Sequence, residues 1–391
     1  MRLAAGVSDR LRRGHPWVYS SKLAFEAEQP SRIVELRDPR NRPIGHALFD
    51  PTSAIALRLI SRPAEPPPGP ELWLDRFRRA LRLRRQLFDD KRTNAYRLCN
   101  GEGDGLPGVV VDRYADHLVL KLDTAAWLPY LDELCVALRQ TLPVAHGWFR
   151  GVRGRSKAGN DSLQAEARPL WGKPPEQTVE VLENGMRLLA DLRRGQKTGL
   201  FLDQRDNRWL LRSLSTGLRV LNLFSYTAAF SLAAALGGAR RTCSVDIAAA
   251  ALELAKQSFL LNGVAPERHD FIAADVFDYL AQTREEAPFD LVIVDPPSMA
   301  PNQAALPNAK RAYVSLNAAA LGRVEPRGLL ASASCSSHVD RALFLELLGE
   351  SARVAKRRLT LLELREQPAD HPSLLAFPEG RYLQFALFRV E

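Results

Sequence analysis

The reactive groups of this chain cluster late, each at the end of an apolar run. Cys335 lies in Ser334-Cys335-Ser336-Ser337-His338, directly after the run 328–333. Asp295-Pro296-Pro297 follows Leu291-Val292-Ile293-Val294. A thiolate is a soft nucleophile and also a leaving group, so it suits reversible addition to an electron-poor ring. Added at carbon-6 of a cytosine, it turns carbon-5 into a nucleophile that attacks an electrophilic methyl. Prolines after Asp295 fix the backbone, so that its side chain and nearby carbonyls can hold a planar ring extruded from its stack. The plainer roles are packing for the cysteine and a rigid strand-ending turn for Asp-Pro-Pro. Polar Ser334, Ser336, Ser337 and His338 argue against a dry core around Cys335. Cys243 and Cys135 read as core, on a strand and on a helix. No pair forms a CxxC, so a structural zinc site is not expected, and four thiols fit a reducing cytoplasm better than a disulfide scaffold.

Those groups need strands beneath them. From about residue 177, strand and helix alternate: strands are expected at 219–224, 242–247, 270–273, 290–294, 328–333, 358–364 and 382–389, and helices at 228–236, 249–262 and 341–354. Repeated βα units predict a parallel sheet with helices on both faces, with ligands beyond the carboxyl ends of its strands. Asn222, Phe224, Ser225, Tyr226 and Thr227 follow the first strand. Asp246, 24 residues after Asn222, follows the second, where a carboxylate can accept from both ribose hydroxyls of a nucleoside cofactor. Asp275 and Val276 follow the third, placed for an adenine amine. Alone, Asp246 reads as a helix N-cap; the joint spacing of Asp246, Asp275 and Asp295 favours the cofactor. The first loop has no G-x-G-x-x-G for a pyrophosphate, and Ala228-Ala229 sit where glycines are wanted. S-adenosylmethionine has no phosphate and tolerates such a loop.

The front of the chain reads differently. Short strands at 34–36, 43–50 and 54–60, with turns between, suggest a small β-barrel or sheet. Five prolines in 62–70 make a stiff linker. A helix over 71–92 carries Arg76, Arg78, Arg79, Arg82, Arg84 and Arg85 around a leucine stripe. Strands at 109–113 and 117–122 and a helix at 130–141 follow, and 158–175 reads as an excursion or second linker. The hairpin 179–190 turns at Asn184-Gly185. Of the net charge of +9, +8 lies in residues 1–176, with 29 Lys and Arg against 21 Asp and Glu. That placement suggests a phosphate-rich partner held by the front. No run of 18 apolar residues suggests a membrane span, and no apolar stretch near the start suggests a secretory leader.

LNLFSYTAAF, CSVDI, AADVF, VIVDPPSMA and SASCSS resemble the ribosomal RNA large-subunit methyltransferase I family. So do KTGLFLDQRDNR at 197–208, GHPWVYS at 14–20, GEGDGLPGVVVDR at 101–113, and the late Asp370-His371-Pro372 with Pro378-Glu379-Gly380-Arg381-Tyr382-Leu383. The resemblance spans nearly the whole chain. It implies an α/β architecture: an N-terminal PUA β-barrel with its linker (1–70), a central α/β domain (71–176), and a C-terminal Rossmann-like S-adenosylmethionine methyltransferase domain (177–391). It implies a cytoplasmic enzyme that forms 5-methylcytosine in 23S rRNA, with Cys335 as nucleophile and Asp295 steadying the cytosine edge. Asp246 and Asp275 would contact ribose and adenine, while Gln204, Arg205 and the 224–227 loop would line the cofactor pocket. Arg12, Arg13, Lys22, Arg150, Arg153, Arg155 and Lys157 are the candidates for RNA phosphates. The sheet edge of the front segment offers a surface for a homodimer. Ala228-Ala229 depart from the family's usual Gly-Gly, adding methyls near the expected methionine end of the cofactor. Two other readings stay open: methylation of a base nitrogen, which needs no thiol, and an RNA-binding protein without catalysis.

Overall fold

The computed structural model describes residues 1–23, 30–152, 167–173, 178–283, 287–300 and 302–391. The chain forms two compact units. The first comprises Met1–Leu182, Ala190–Leu202 and Ala369–Gly380, and the second comprises Glu183–Leu189, Asp203–Pro368 and Arg381–Glu391.

In the first unit, helix α1 (Ala5–Arg12) precedes strands β1 (Trp17–Tyr19), β2 (Arg32–Arg37), β3 (Pro43–Phe49) and β4 (Ile55–Ser61). They form an antiparallel sheet in the order β1-β4-β3-β2. The short-strand expectation holds within about two residues, whereas α1 was not anticipated. Gly45 lets β3 lie close on β4, because a Cβ there would sit 2.0 Å from the Ser61 carbonyl oxygen.

The proline stretch runs into α2 (Pro70–Leu87), with Pro70 in the first turn, where a missing N–H costs no helical bond. This helix stops at Leu87 rather than 92: Phe88 is extended and its ring stacks on Tyr96 at 5.1 Å. Strands β5 (Ala95–Asn100), β6 (Val109–Tyr114), β7 (His117–Leu122), β8 (His146–Val152) and β9 (Arg168–Trp171) follow, with α3 (Leu131–Thr141) between β7 and β8. Their sheet runs in sequence order, parallel only at β7–β8. Helices α2 and α3 pack together, and Trp73 and Trp127 meet edge to face at 5.1 Å in the core. Strand β9 lies inside the stretch expected as a linker. Trp171 covers Gly147, which explains why a four-residue strand holds there.

The hairpin of β10 (Val179–Glu183) and β11 (Met186–Ala190) is a two-stranded sheet of its own. Its Asn184-Gly185 turn has both residues at positive φ, as a two-residue type I′ turn requires.

The second unit holds α4 (Arg205–Leu214), β12 (Arg219–Leu223), α5 (Ala229–Leu236), β13 (Arg241–Asp246), α6 (Ala249–Leu261), β14 (Asp270–Ala273), α7 (Val276–Gln282), β15 (Phe289–Val294), α8 (Leu306–Leu321), β16 (Val324–Ser334), α9 (Arg341–Val354), β17 (Leu359–Arg365) and β18 (Gln384–Val390). The seven-stranded sheet has the order β14-β13-β12-β15-β16-β18-β17. Five strands are parallel, but β18 runs antiparallel to both β16 and β17. The expected all-parallel sheet is therefore corrected. The crossover through α9 sets β17 one strand-width beyond β16, and the last strand fills the gap. Buried Val, Leu and Ile of the strands form cores on both faces. No helix of the described residues is long and apolar enough to cross a membrane.

Helix α4 is tied down by a buried bidentate pair, with Arg208 donating to Glu183 at 2.7 and 2.5 Å. Replacing Glu183 with Ala leaves the guanidinium buried without its partner. We expect a loss of about 3–5 kcal/mol in urea unfolding, with much of it recovered by Glu183→Leu combined with Arg208→Met. A loss below about 1 kcal/mol would show that the pair does not anchor the helix.

Candidate active site

The strand order reverses between β12 and β15. From β12 the chain steps to β13 and β14 on one side, then returns to β15 on the other. Such a switch point opens a crevice beyond the carboxyl ends of the strands. Leu223 pairs with Val294 there, so Phe224 and Asp295 leave the sheet side by side.

Asp295 is held by the residue ahead of α4: Gln204 Nε2 donates to Asp295 Oδ1 at 2.9 Å. The amide of Gln204 is fixed in turn, since Asn207 Nδ2 donates to its Oε1 at 2.7 Å. One strand further, β16 ends at Ser334 and the half-buried Cys335 follows. Its Sγ lies 3.9 Å from the carbonyl oxygen of Pro296, inside the Asp-Pro-Pro turn.

Alternation decides where this thiol faces. Ser332, Ser334 and Ser336 look towards α8. Ser332 Oγ donates to Asn317 Oδ1 at 2.8 Å, and the Tyr313 hydroxyl lies 2.8 Å from Ser334 Oγ and 3.2 Å from Ser336 Oγ. Ser336 also meets Ser298 Oγ at 3.1 Å. With both flanking serines engaged on that side, Cys335 continues the face of Ala331 and Ala333. Tyr313 is fully buried, and burial raises its hydroxyl pKa, so it remains a neutral hydrogen-bonding group. Nothing at the sequence level marked Tyr313, because a helix residue 22 positions upstream gives no periodic sign of meeting Cys335.

On the other side of the crevice, Asp246 is buried and makes no ion pair among the described residues. Its Oδ2 accepts from Tyr226 N at 2.7 Å and its Oδ1 from Ala248 N at 2.8 Å. Ala248, not Asp246, is the N-cap of α6. A carboxylate has about four acceptor sites, so two remain for a pair of hydroxyls. Asp275 does cap its helix, its Oδ1 accepting from Phe277 N at 2.8 Å and Asp278 N at 3.2 Å. Val276 is buried in the core, so what it offers a ligand is backbone.

The loop between β12 and α5 is unusual in its backbone. Phe224, Tyr226 and Ala228 all have positive φ, at 59°, 48° and 51°. Each such non-glycine residue costs on the order of 1–3 kcal/mol, and such strain concentrates at functional sites. Ala228 is fully buried, so its methyl does not enter the crevice as expected; its effect is on the backbone. Ser225 Oγ and Asn222 Oδ1 are buried without a hydrogen-bond partner, while Asn222 Nδ2 is used on Ser231 of α5. Ile247, 76% exposed directly after Asp246, and Phe277, 43% exposed after Asp275, offer apolar faces that the sequence reading did not single out. A buried carboxylate without a cation, unpartnered hydroxyl and amide oxygens, and exposed apolar flanks fit a nucleoside with an uncharged sugar diol. They fit S-adenosylmethionine better than a dinucleotide.

Several expected residues have other work. Arg12 donates to the buried Asp38 at 2.7 Å, and Arg150 is buried, donating to the carbonyls of Leu192, Arg193 and Gly195. Arg150 is thereby corrected from a phosphate candidate to a structural staple, whereas Arg12 keeps an exposed side chain beside its ion pair. Arg13 and Lys22 are exposed, whereas Arg153, Arg155 and Lys157 lie outside the described residues. Arg205 is buried, with Asp206 3.4 Å away. Burial pushes the Cys135 and Cys243 thiols up to about 11 and raises that of Cys99 further, so these three stay protonated. The late Asp370-His371-Pro372 lies in the first unit, where Arg84 donates to the Asp370 carbonyl at 2.7 Å and Asp370 Oδ2 accepts from Arg97 N at 2.9 Å.

The family model of S-adenosylmethionine-dependent methyltransferases matches residues 98–385, and that of PUA-like domains matches residues 1–62. The chain is thus an S-adenosylmethionine-dependent methyltransferase of the α/β class with a PUA-like domain at its front. A ribosomal RNA large subunit methyltransferase of Deinococcus radiodurans is 38% identical over 100% of this chain and 97% of its own length. A ribosomal RNA large subunit methyltransferase I of Erwinia tasmaniensis is 36% identical over 99% and 98%. The chain belongs to the ribosomal RNA large-subunit methyltransferase I family. Among solved structures, a Streptococcus mutans methyltransferase matches with a TM-score of 0.86 at 27% identity, covering both chains fully. A methyltransferase complexed with SAH matches at 0.87 and 27% identity, over 100% of this chain and 99% of that one.

Because Ala228 is buried at positive φ, Ala228→Gly removes a local strain. The gain is offset in part by the greater freedom of glycine in the unfolded chain. We expect a net stabilisation of about 0.5–1 kcal/mol, read as a higher denaturation midpoint of the second unit. A lower midpoint would show that the methyl's packing outweighs the strain.

Proposed function

We propose that this enzyme methylates carbon-5 of a cytosine in 23S rRNA through a covalent adduct to Cys335. The observation that carries this reading is the Cys335 Sγ at 3.9 Å from the Pro296 carbonyl, beside the crevice, with Tyr313 and its serines behind it. Relatives along the whole chain are named for the large-subunit RNA.

Bound S-adenosylmethionine supplies an electrophilic methyl. Asp246 would accept from its ribose hydroxyls, Ile247 and Phe277 would flank its adenine, Asp275 and the Val276 backbone would lie at the adenine edge, and the strained 224–228 loop with Ser225 would close over it. The residues of the chain then act on the pyrimidine. The Cys335 thiolate forms a bond to carbon-6, and the ring electrons gather at carbon-5. Once carbon-5 carries its methyl, a base takes the carbon-5 proton. The carbon–sulfur bond breaks, returning the ring's double bond and the thiolate. Asp295, oriented by Gln204, would hold the exocyclic edge of the base. Arg13 and Lys22 would meet RNA phosphates on the front segment. With 1–70, 71–176 and 177–391 as PUA, central and catalytic domains, the chain divides by role, and its four free thiols suit the cytoplasm.

The test uses 23S rRNA from a strain lacking the gene, the purified enzyme, and mass spectrometry of the nucleosides. The wild type should form 5-methylcytosine. Cys335→Ala should lower turnover by at least about 10³-fold while binding S-adenosylmethionine normally. Methylation undiminished in that variant, or a methyl on a base nitrogen, would overturn the adduct.

Tyr313→Phe tests the support of the thiol. It removes one hydroxyl and leaves two serines short of a partner. We expect kcat to fall by about 10- to 100-fold with the KM for S-adenosylmethionine unchanged. An unchanged kcat would show that Cys335 does not depend on this network.

A further inference from the structure

The six arginines of α2 do not share one fate. Arg76 is buried and donates to the Gly105 carbonyl at 2.5 Å and to Glu65 at 3.0 Å. Arg84 is buried and grips Asp104 with two bonds of 2.6 and 2.7 Å. Arg79 pairs with Asp75 at 2.8 Å on the surface. Arg78, Arg82 and Arg85 remain. All three are exposed, and none has an acidic partner among the described residues. They stand at i, i+4 and i+7, so they form one stripe along the helix, about 10 Å from first to last.

Like charges at this spacing repel and cost the helix a few tenths of a kcal/mol per pair. The nearby carboxylates do not relieve them. Asp75 pairs with Arg79 and Asp90 with Arg113 at 2.8 Å, and no carboxylate forms an ion pair with these three arginines among the described residues. Beyond the helix, the exposed Lys91 and Arg92 balance the charges of the exposed Asp89 and Asp90. A ridge of planar guanidinium groups is suited to a run of phosphates, which it can grip with two hydrogen bonds each.

We propose that the Arg78–Arg82–Arg85 face of α2 is a docking surface for the phosphate backbone of the RNA substrate, additional to the PUA-like domain. It rests on the reading of large-subunit RNA as substrate. These contacts are made to phosphates and carry no sequence information; they supply affinity and orientation rather than base choice.

The experiment compares three full-length proteins for binding to 23S rRNA over a salt series. They are the wild type, the variant with Arg78→Gln, Arg82→Gln and Arg85→Gln, and a charge-matched control with Arg268→Gln, Arg327→Gln and Arg353→Gln, three exposed arginines of the second unit. If the proposal holds, the α2 variant loses at least tenfold in affinity at low salt. Its slope of log K against log salt becomes shallower by about 2–3, while the control stays near the wild type. All three should bind S-adenosylmethionine equally. Equal loss in variant and control would show that net charge alone is at work and overturn the surface. So would an α2 variant that binds like the wild type, which leaves the RNA reading intact. A wild type that binds 23S rRNA no better than a neutral protein does would remove both.

Discussion

The direction of one thiol depends on a hydroxyl ladder on the far side of its strand. Two residues along a strand rise about 6.6 Å and four along a helix about 6 Å, so alternate positions at the end of β16 can meet i, i+4 positions of α8. Ser332 meets Asn317, and Ser334 and Ser336 meet Tyr313. A slip of one residue would bury Ala333 and Cys335 against these polar groups and strip several hydroxyls of partners. Each such loss costs on the order of 1–3 kcal/mol. Apolar residues in the same places would pack but would not fix the register so firmly. Cys335 lies beside the Pro296 carbonyl, away from the side to which its neighbours are committed.

The other wall of the crevice solves a related problem with a carboxylate. The 224–228 loop puts three side-chain-bearing residues at positive φ, a conformation that survives only if its surroundings insist on it. Asp246 supplies part of that insistence by accepting from the Tyr226 backbone, and the Ser225 amide donates to the Val245 carbonyl at 3.0 Å. The second strand therefore holds the loop of the first. This links two things that the sequence treats separately, a residue spaced for a ribose and a loop lacking glycines. The acidic group is part of the loop's architecture before any ligand arrives.

What the sequence disclosed follows from which physical signals are local. Apolar runs and helical periodicity gave 117–122, 270–273 and 341–354 as they stand, because each pattern is complete within its own segment. The turn at Asn184-Gly185 was readable from two residues whose conformational freedom is specific. Strand order was not. Nothing in the pattern of 384–390 says that it enters between β16 and β17, and the alternation of strand and helix that suggested an all-parallel sheet ends before it. Cys335, Asp295 and Asp246 stood out as candidates because each follows an apolar run, at the strand end where a crevice opens. Tyr313, Ile247 and Phe277 were not, since a buried tyrosine or an exposed phenylalanine acquires meaning only from what stands opposite.

Arginine shows the same limit most sharply. The front of the chain has an excess of eight positive charges, and reading that excess as a single phosphate-binding surface assigns one role to many residues. Burial divides them. Arg150 spends its terminal nitrogens on three backbone carbonyls, and Arg84 its donors on Asp104 and the carbonyls of Arg97 and Asp370. A guanidinium with its donors satisfied inside the fold cannot be withdrawn for a ligand without leaving those acceptors bare. Its charge still counts in the total but not in recognition. The groups that can answer a polyanion are those with donors still facing water, and on α2 the helical repeat gathers three of them on one line. Composition thus measures how much positive charge is present; the pattern of satisfied donors says where it remains to be used.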